Sequence, residues 1–324
     1  MKKVYPHPRV SALVGDLRSP NLGLSPPVWD RLASSLTDIV HCGADIRFSH
    51  PIEEARATNA EGTRTMLALA QQVKRLRRFA FISTAYIMGR DTGELGEREH
   101  SNIAGFVNTY EESKHEAEAL VFALMNVIPA AIFRLSSVVG EGTNYLQQAL
   151  RMIPHNRFPV MPALASGRVD LIDERWAAAA LDALFERHFR PGAVFNICAG
   201  KRGAIRVGQL IETAFSFLGA PQPTMVSLER FERFAARVLS NGARGREGLM
   251  LHSLSHFLPH LALDQTFQNE TTISLLEQEG IELADSAEVF GRVLTRLSSE
   301  PTVPGDTSGR ADAVKLPPSK ESAV

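Results

Sequence analysis

Arg78-Phe79-Ala80-Phe81-Ile82-Ser83-Thr84-Ala85-Tyr86-Ile87-Met88-Gly89, followed by Asn108-Thr109-Tyr110-Glu111-Glu112-Ser113-Lys114, decides how this chain is read. The first run is a continuous apolar strand, Arg78 to Ser83, whose end carries hydroxyls. The second opens a helix expected from Tyr110 to Met125. Tyr110 and Lys114 stand four apart on it, hence on one face. A hydroxyl, a phenol and an ammonium brought to one strand end can manage a proton on a carbonyl oxygen.

Similar runs lie on either side. Val10 to Val14, Asp38 to Cys42 and Ala130 to Arg134 are short, apolar and strand-like, and Val194 to Cys198 is a later one. Glu53 to Val73 reads as a long helix, and Ser25 with Pro26 and Pro27 opens another. Continuous apolar strands separated by helices indicate a parallel sheet covered on both faces. That is α/β, the Rossmann-like doubly wound parallel sheet. Beyond Gly140 helices dominate: Tyr145 to Met152, Glu174 to Arg187, Val207 to Leu218, Leu228 to Leu239, Thr271 to Glu279 and Ala287 to Leu297. The expected organisation is a nucleotide-binding core over 9–142 and a smaller, mostly helical substrate region over 143–297. Some strands of that region return to the core sheet. Residues 298–324, rich in Ser, Pro, Gly, Asp and Lys, read as a disordered tail.

The 324 residues are 44% hydrophobic, enough for a sizeable core. The formal net charge of −1 argues against a nucleic-acid or anionic-membrane binder. No apolar run is long enough to span a bilayer, and the start has no apolar leader. Cys42 and Cys198 read as buried small hydrophobes in a reducing compartment, so a cytoplasmic protein is expected. His252, His256 and His260 recur every four residues, but Pro259 interrupts the helix a metal-binding stripe would need. No metal site is expected.

Taken in order, Gly15-Asp16-Leu17, His41-Cys42-Gly43-Ala44, Asn59-Ala60-Glu61-Gly62-Thr63, Ser83-Thr84-Ala85-Tyr86, Tyr110-x-x-x-Lys114 and Arg134-Leu135-Ser136 resemble the extended short-chain dehydrogenase/reductases. Pro20-Asn21-Leu22-Gly23-Leu24, Phe257-Leu258-Pro259-His260-Leu261 and Phe267-Gln268-Asn269 are closer still to the thioester reductase and fatty acyl-CoA reductase branch, the male-sterility type. The resemblance covers roughly residues 9 to 297. It implies that Tyr110 donates a proton to the substrate oxygen. Lys114 would hold the nicotinamide ribose and lower the Tyr110 pKa through its nearby ammonium. Thr84 would hydrogen-bond the same oxygen. Ser83 is the competing hydroxyl, and strand alternation lets only one of the two point into the site. Asp16, with Leu17 beside it, would meet the adenine. Gly43 and Ala44 would keep the strand end open to the cofactor, Asn59 would brace the active-site strand, and Ser136 would approach the nicotinamide. Leu135 stands where the family usually has proline.

The resemblance implies NADP or NAD, with NADP favoured, and an acyl thioester on CoA or a carrier protein reduced to an aldehyde. A nucleotide-sugar or steroid epimerase, dehydratase or dehydrogenase of the extended family is the first rival. A non-catalytic remnant is the second. The family pattern enters at Val10 to Val14, as if at its third strand. The first strand, its glycine-rich phosphate loop and helix, and the second strand do not precede it. That is about 50 residues or more, from the size of such units. The expected core is therefore N-terminally truncated, and a partner chain is a candidate source of the missing segment.

Overall fold

The computed structural model describes residues 8–140, 145–153, 160–240 and 256–299. A four-stranded parallel sheet forms its centre, from β1 (Asp38–His41), β2 (Arg78–Thr84), β4 (Ala130–Leu135) and β9 (Val194–Ile197), in the order β1-β2-β4-β9. Smaller strands form four two-stranded pairs. β3 (Gly93–Leu95) pairs with β12 (Gln265–Phe267), and β5 (Ser137–Val139) with β8 (Leu171–Asp173). β6 (Val160–Pro162) pairs with β11 (Thr224–Val226), and β7 (Arg168–Val169) with β10 (Ile205–Arg206). The parallel, Rossmann-like class expected from the sequence is the one observed.

Both faces of β2, β4 and β9 are covered, which is why these strands are mostly apolar. On one face Phe79, Phe81 and Ile132 meet α2 (Ile52–Gln72) and α3 (Thr109–Leu124), through Leu67, Ala117 and Val121. α1 (Pro26–Ser35) joins this layer, with Trp29 Nε1 donating to Gln72 Oε1 at 2.9 Å. On the other face Ala131, Phe133 and Phe195 pack against α5 (Glu174–Arg187) and the helix Glu270–Gln278. α5 starts where Asp173 caps the backbone N–H groups of Arg175 and Trp176. A separate core, including Leu150, Ile211, Phe231 and Phe290, joins α4 (Tyr145–Met152) to the helices Val207–Phe217, Leu228–Ser240 and Ser286–Ser299.

β1 is an edge strand. Ile39 and His41 face α2, whereas Val40 faces away and is 53% exposed. Val10–Val14, expected as a strand, forms none. Val10, Leu13 and Val14 are exposed. The run has strand composition, but it pairs with no described strand, and a strand is stable only in a ladder. Cys42, expected to be buried, is exposed just past the end of β1, whereas Cys198 is buried. The last helix runs Ser286–Ser299, past the expected start of the tail, and residues 300–324 lie outside the described ones. No helix among the described residues is long and apolar enough to cross a membrane.

Candidate active site

Thr84 ends β2 at the C-terminal edge of the sheet, where parallel sheets place ligand groups. Its hydroxyl caps the 3-10 turn Ala85–Met88, accepting from Tyr86 N at 3.2 Å. Gly89 closes that turn with φ 59° and ψ −122°. A Cβ there would lie 2.4 Å from Gly105 O, so only glycine lets the 102–106 loop approach.

The first turn of α3 is set by a capping box. Asn108 Oδ1 accepts from Glu111 N at 3.0 Å, and Glu111 Oε2 accepts from Val107 N at 3.0 Å. Tyr110 is thereby fixed one residue inside the helix, its ring against Phe48 and its phenol beside the Thr84 hydroxyl. Lys114 lies one turn further on and is buried. Its Nζ donates to Ile82 O at 2.7 Å and sits 4.0 Å from the centre of the Phe81 ring. Thr84, Tyr110 and Lys114 are therefore brought together.

The electrostatics differ from the sequence expectation. Lys114 does not lower the Tyr110 phenol. Burial pushes the phenol up to about 12, against the pull of the Thr84 bond. Burial also pushes the Lys114 ammonium down to about 8. With its Nζ turned to Ile82 O, the ammonium serves the strand end rather than the phenol. Burial and then the Lys114 charge hold His41 down at about 3, leaving a neutral imidazole bonded to Thr63 at 3.0 Å.

Ser83 points elsewhere, donating to Glu118 Oε2 at 2.6 Å. The other singled-out residues are largely occupied by the chain itself. Asp16 is exposed and organises a turn, accepting from Arg18 N at 2.9 Å and from Ser19 Oγ at 3.1 Å. Leu17 lies over Gly43, where a Cβ would meet its Cδ1 at 2.7 Å. The space that Gly43, followed by Ala44, was expected to leave open is thus filled. Asn59 does brace, but it braces the loop after β1 against α3 rather than strand β2. It accepts from Asp45 N at 2.7 Å, and donates to Asp45 O at 2.9 Å and Ser113 Oγ at 2.8 Å. Asn59→Ala is expected to cost about 2 kcal/mol of unfolding free energy, because Ser113 and the Asp45 backbone lose buried partners. Urea unfolding reads this, and a loss under about 0.5 kcal/mol would remove the brace. Ser136 donates to Asp170 Oδ1 at 2.5 Å, so its hydroxyl is committed.

Asp170 was assigned no role from the sequence. Its carboxylate also accepts from Ala199 N at 2.9 Å and Gly200 N at 2.7 Å, and burial pushes it up to about 6. A further signal is an acidic residue inside the apolar run Val169-Asp170-Leu171-Ile172. Of the three spaced histidines, His252 lies outside the described residues. His260 reaches Glu111 Oε1 through Nε2 at 2.7 Å. Among the described residues no three His, Cys, Asp or Glu groups converge for a metal.

A nicotinamide ribose fits this arrangement at one end, where a buried ammonium and two hydroxyl groups converge on the end of β2. The pyrophosphate does not find its cradle. Among the described residues no glycine-rich turn joins a strand to a helix beside β1, and Leu17 covers Gly43.

Residues 2–177, more than half of the chain, match the model of the male sterility protein family, an NAD-binding family. A Drosophila melanogaster protein named provisionally as a fatty acyl-CoA reductase is 30% identical over 160 residues, covering 41% of this chain and 30% of the relative. A polyketide synthase-nonribosomal peptide synthetase of Pyricularia oryzae is 36% identical over 153 residues, 44% of this chain and 4% of that protein. The chain thus spans less than a third of the length of these curated relatives. Among solved structures, the terminal R domain of the myxalamid PKS-NRPS pathway superposes with a TM-score of 0.69 at 21% identity, over 87% of this chain and 73% of that one.

Proposed function

Because the chain belongs to the male sterility protein family, within the thioester reductase branch of the extended short-chain dehydrogenase/reductases, we propose that it serves the NADPH-dependent reduction of an acyl thioester to an aldehyde. The thioester would be carried on CoA or on a carrier protein. The observation that carries this reading is the convergence of the Tyr110 phenol, the Thr84 hydroxyl and the buried Lys114 ammonium at the end of β2. A bound reduced nicotinamide supplies the hydride. Tyr110 and Thr84 donate to the carbonyl oxygen as negative charge grows on it. Tyr110, held protonated by burial, delivers the proton. The hemithioacetal then breaks its C–S bond to release aldehyde and free thiol. Residues 9–142 supply the cofactor side, and 143–297 the acyl side. The exposed thiol of Cys42 suits a reducing cytoplasmic setting.

The open edge of β1 and the uncovered Val40 are where a phosphate-cradling strand, turn and helix would complete the site, supplied by another polypeptide segment. Leu17, filling the space over Gly43, favours a second reading: a protein that keeps the fold and does not bind the dinucleotide.

Titrating the protein with NADPH and with NADH separates these readings, since no binding of either sinks the reductase. Acyl-CoA-dependent oxidation of NADPH then tests the substrate class. Tyr110→Phe is expected to lower that rate by about 10²-fold or more while leaving NADPH affinity in place. A variant with full rate would remove Tyr110 from its role.

A further inference from the structure

His260 comes from a part of the chain remote from Tyr110 in sequence, yet it is bonded to the residue next to it. The 3-10 turn Leu258–Ala262 places its imidazole, largely buried, with Nε2 2.7 Å from Glu111 Oε1. Glu111 is the third residue of α3, the carboxylate of the capping box that fixes Tyr110. The same stretch holds the other catalytic element. The His260 ring packs edge-on against Tyr86, at 4.8 Å between centres, and Tyr86 N is bonded to Thr84. Gln265 Nε2 donates to Gly89 O at 2.8 Å and Asp91 O at 2.7 Å, holding the end of the turn after Thr84. Asn108 Nδ2 adds a bond to His256 O at 3.1 Å. One segment, 256–265, therefore grips both the helix that carries Tyr110 and the turn that carries Thr84.

Nothing in the proton-transfer chemistry uses His260, and a bland core position would not need a buried carboxylate as partner. An imidazole N–H on Glu111 Oε1 fixes that carboxylate in the capping box, and so fixes the rotation of the first turn of α3. We propose that His260 is a positioning residue which, through Glu111, holds the Tyr110 phenol beside Thr84. This rests on the reading of Tyr110 as the proton donor. It makes the substrate-side region a part of the proton-donating site rather than a separate acyl pocket.

The test reads the position of Tyr110 without requiring turnover. The protein is labelled with ¹³Cζ-tyrosine, and Tyr110→Phe assigns the Tyr110 resonance. His260→Leu removes the one donor to Glu111 that comes from outside the capping box, leaving Asn108 Nδ2 on Oε1 at 2.7 Å and Val107 N on Oε2 at 3.0 Å; His260→Asn falls short of Glu111, and His260→Gln can restore an N–H at the reach of Nε2. Leu and Asn are expected to shift the Tyr110 resonance, and Gln to return it toward wild type. Should Leu fail to fold, Asn against Gln gives the same comparison. Where acyl-thioester turnover is present, kcat is expected to fall about tenfold in Asn with KM for NADPH unchanged, consistent with loss of a group that aligns the acid. An unmoved Tyr110 resonance in the folded Leu or Asn variant overturns the proposal, and so does an equal shift in Gln. A wild-type protein that shows the resonance pattern but no turnover counts against the reductase reading alone.

Discussion

Replacing Arg134 with leucine is expected to lower the unfolding free energy by about 3–5 kcal/mol. Arg134 is fully buried at the end of β4. Its Nε donates to both oxygens of Glu118, at 3.1 and 3.2 Å, and its Nη2 bonds Glu118 Oε1 as well. Nη1 donates to Gly96 O at 3.0 Å and Nη2 to Arg98 O at 2.9 Å. Ser83 adds its hydroxyl to Glu118. One guanidinium therefore ties the end of β4 to the middle of α3, and both to the end of β2 and the loop after β3. Leucine would leave the Glu118 carboxylate buried with a single hydroxyl partner, and two carbonyls without donors. The unpaired charge dominates, so Arg134→Leu with Glu118→Leu should cost less than the sum of the two single changes by more than about 1 kcal/mol. Urea unfolding of the four proteins measures this. Additive losses, or a single-mutant loss under about 1 kcal/mol, would mean the pair is not the clamp its geometry describes.

The strands β2, β4 and β9 were legible because parallel strands buried on both faces are mostly apolar, as Phe79-Ala80-Phe81-Ile82, Ala130-Ala131-Ile132-Phe133 and Val194-Phe195 are, and their buried polar residues, Arg134 and Asn196, stand near the strand ends. Val10–Val14 has the same local chemistry and forms no strand. Composition reports what a segment can bury, not whether a neighbour exists to pair with it. Tyr110 and Lys114 were legible because helical spacing fixes their common face. Thr84 and Ser83 were separable only by the fold, which turns Ser83 to Glu118. The shift of the Tyr110 phenol was misread because spacing brings an ammonium near a phenol but does not say what else the ammonium bonds. The contacts that lock the site are mostly between residues far apart in sequence. Glu111 meets His260, and Asp170 takes the backbone donors of Ala199 and Gly200. Neither was read from the sequence, although Asn108 followed three residues later by Glu111 has the spacing of a capping box. Leu17 shows the converse failure. A residue taken for a cofactor contact fills the space over a glycine taken for a cofactor cradle.

Lys114→Met should make the protein more stable at pH 7, by about 2 kcal/mol, while removing a group the reductase reading needs. Burial holds the Lys114 ammonium near 8 against an ordinary value of 10.5. A base whose folded-state value is depressed contributes stability that is fully present above the unfolded value of 10.5, and is lost as pH falls through the folded value of about 8. Below that, the buried charge costs about 3 kcal/mol, at about 1.4 kcal/mol per pKa unit. Methionine has similar length and no charge, so it removes that cost. It also gives up the bond to Ile82 O, worth about 1 kcal/mol, which leaves the net gain. The advantage should hold below pH 8 and vanish between pH 8 and 10.5, as the wild-type lysine loses its proton in the folded state. Unfolding of both proteins across that range reads the difference directly, since groups that titrate alike in the two cancel. A gain that does not depend on pH would assign the effect to packing, and a loss of stability at pH 7 would mean the ammonium is better solvated than its burial implies. A lysine retained at this cost in a helix that would hold better without it is a group kept for what it binds. The same substitution should therefore weaken NADPH binding in the protein it stabilises.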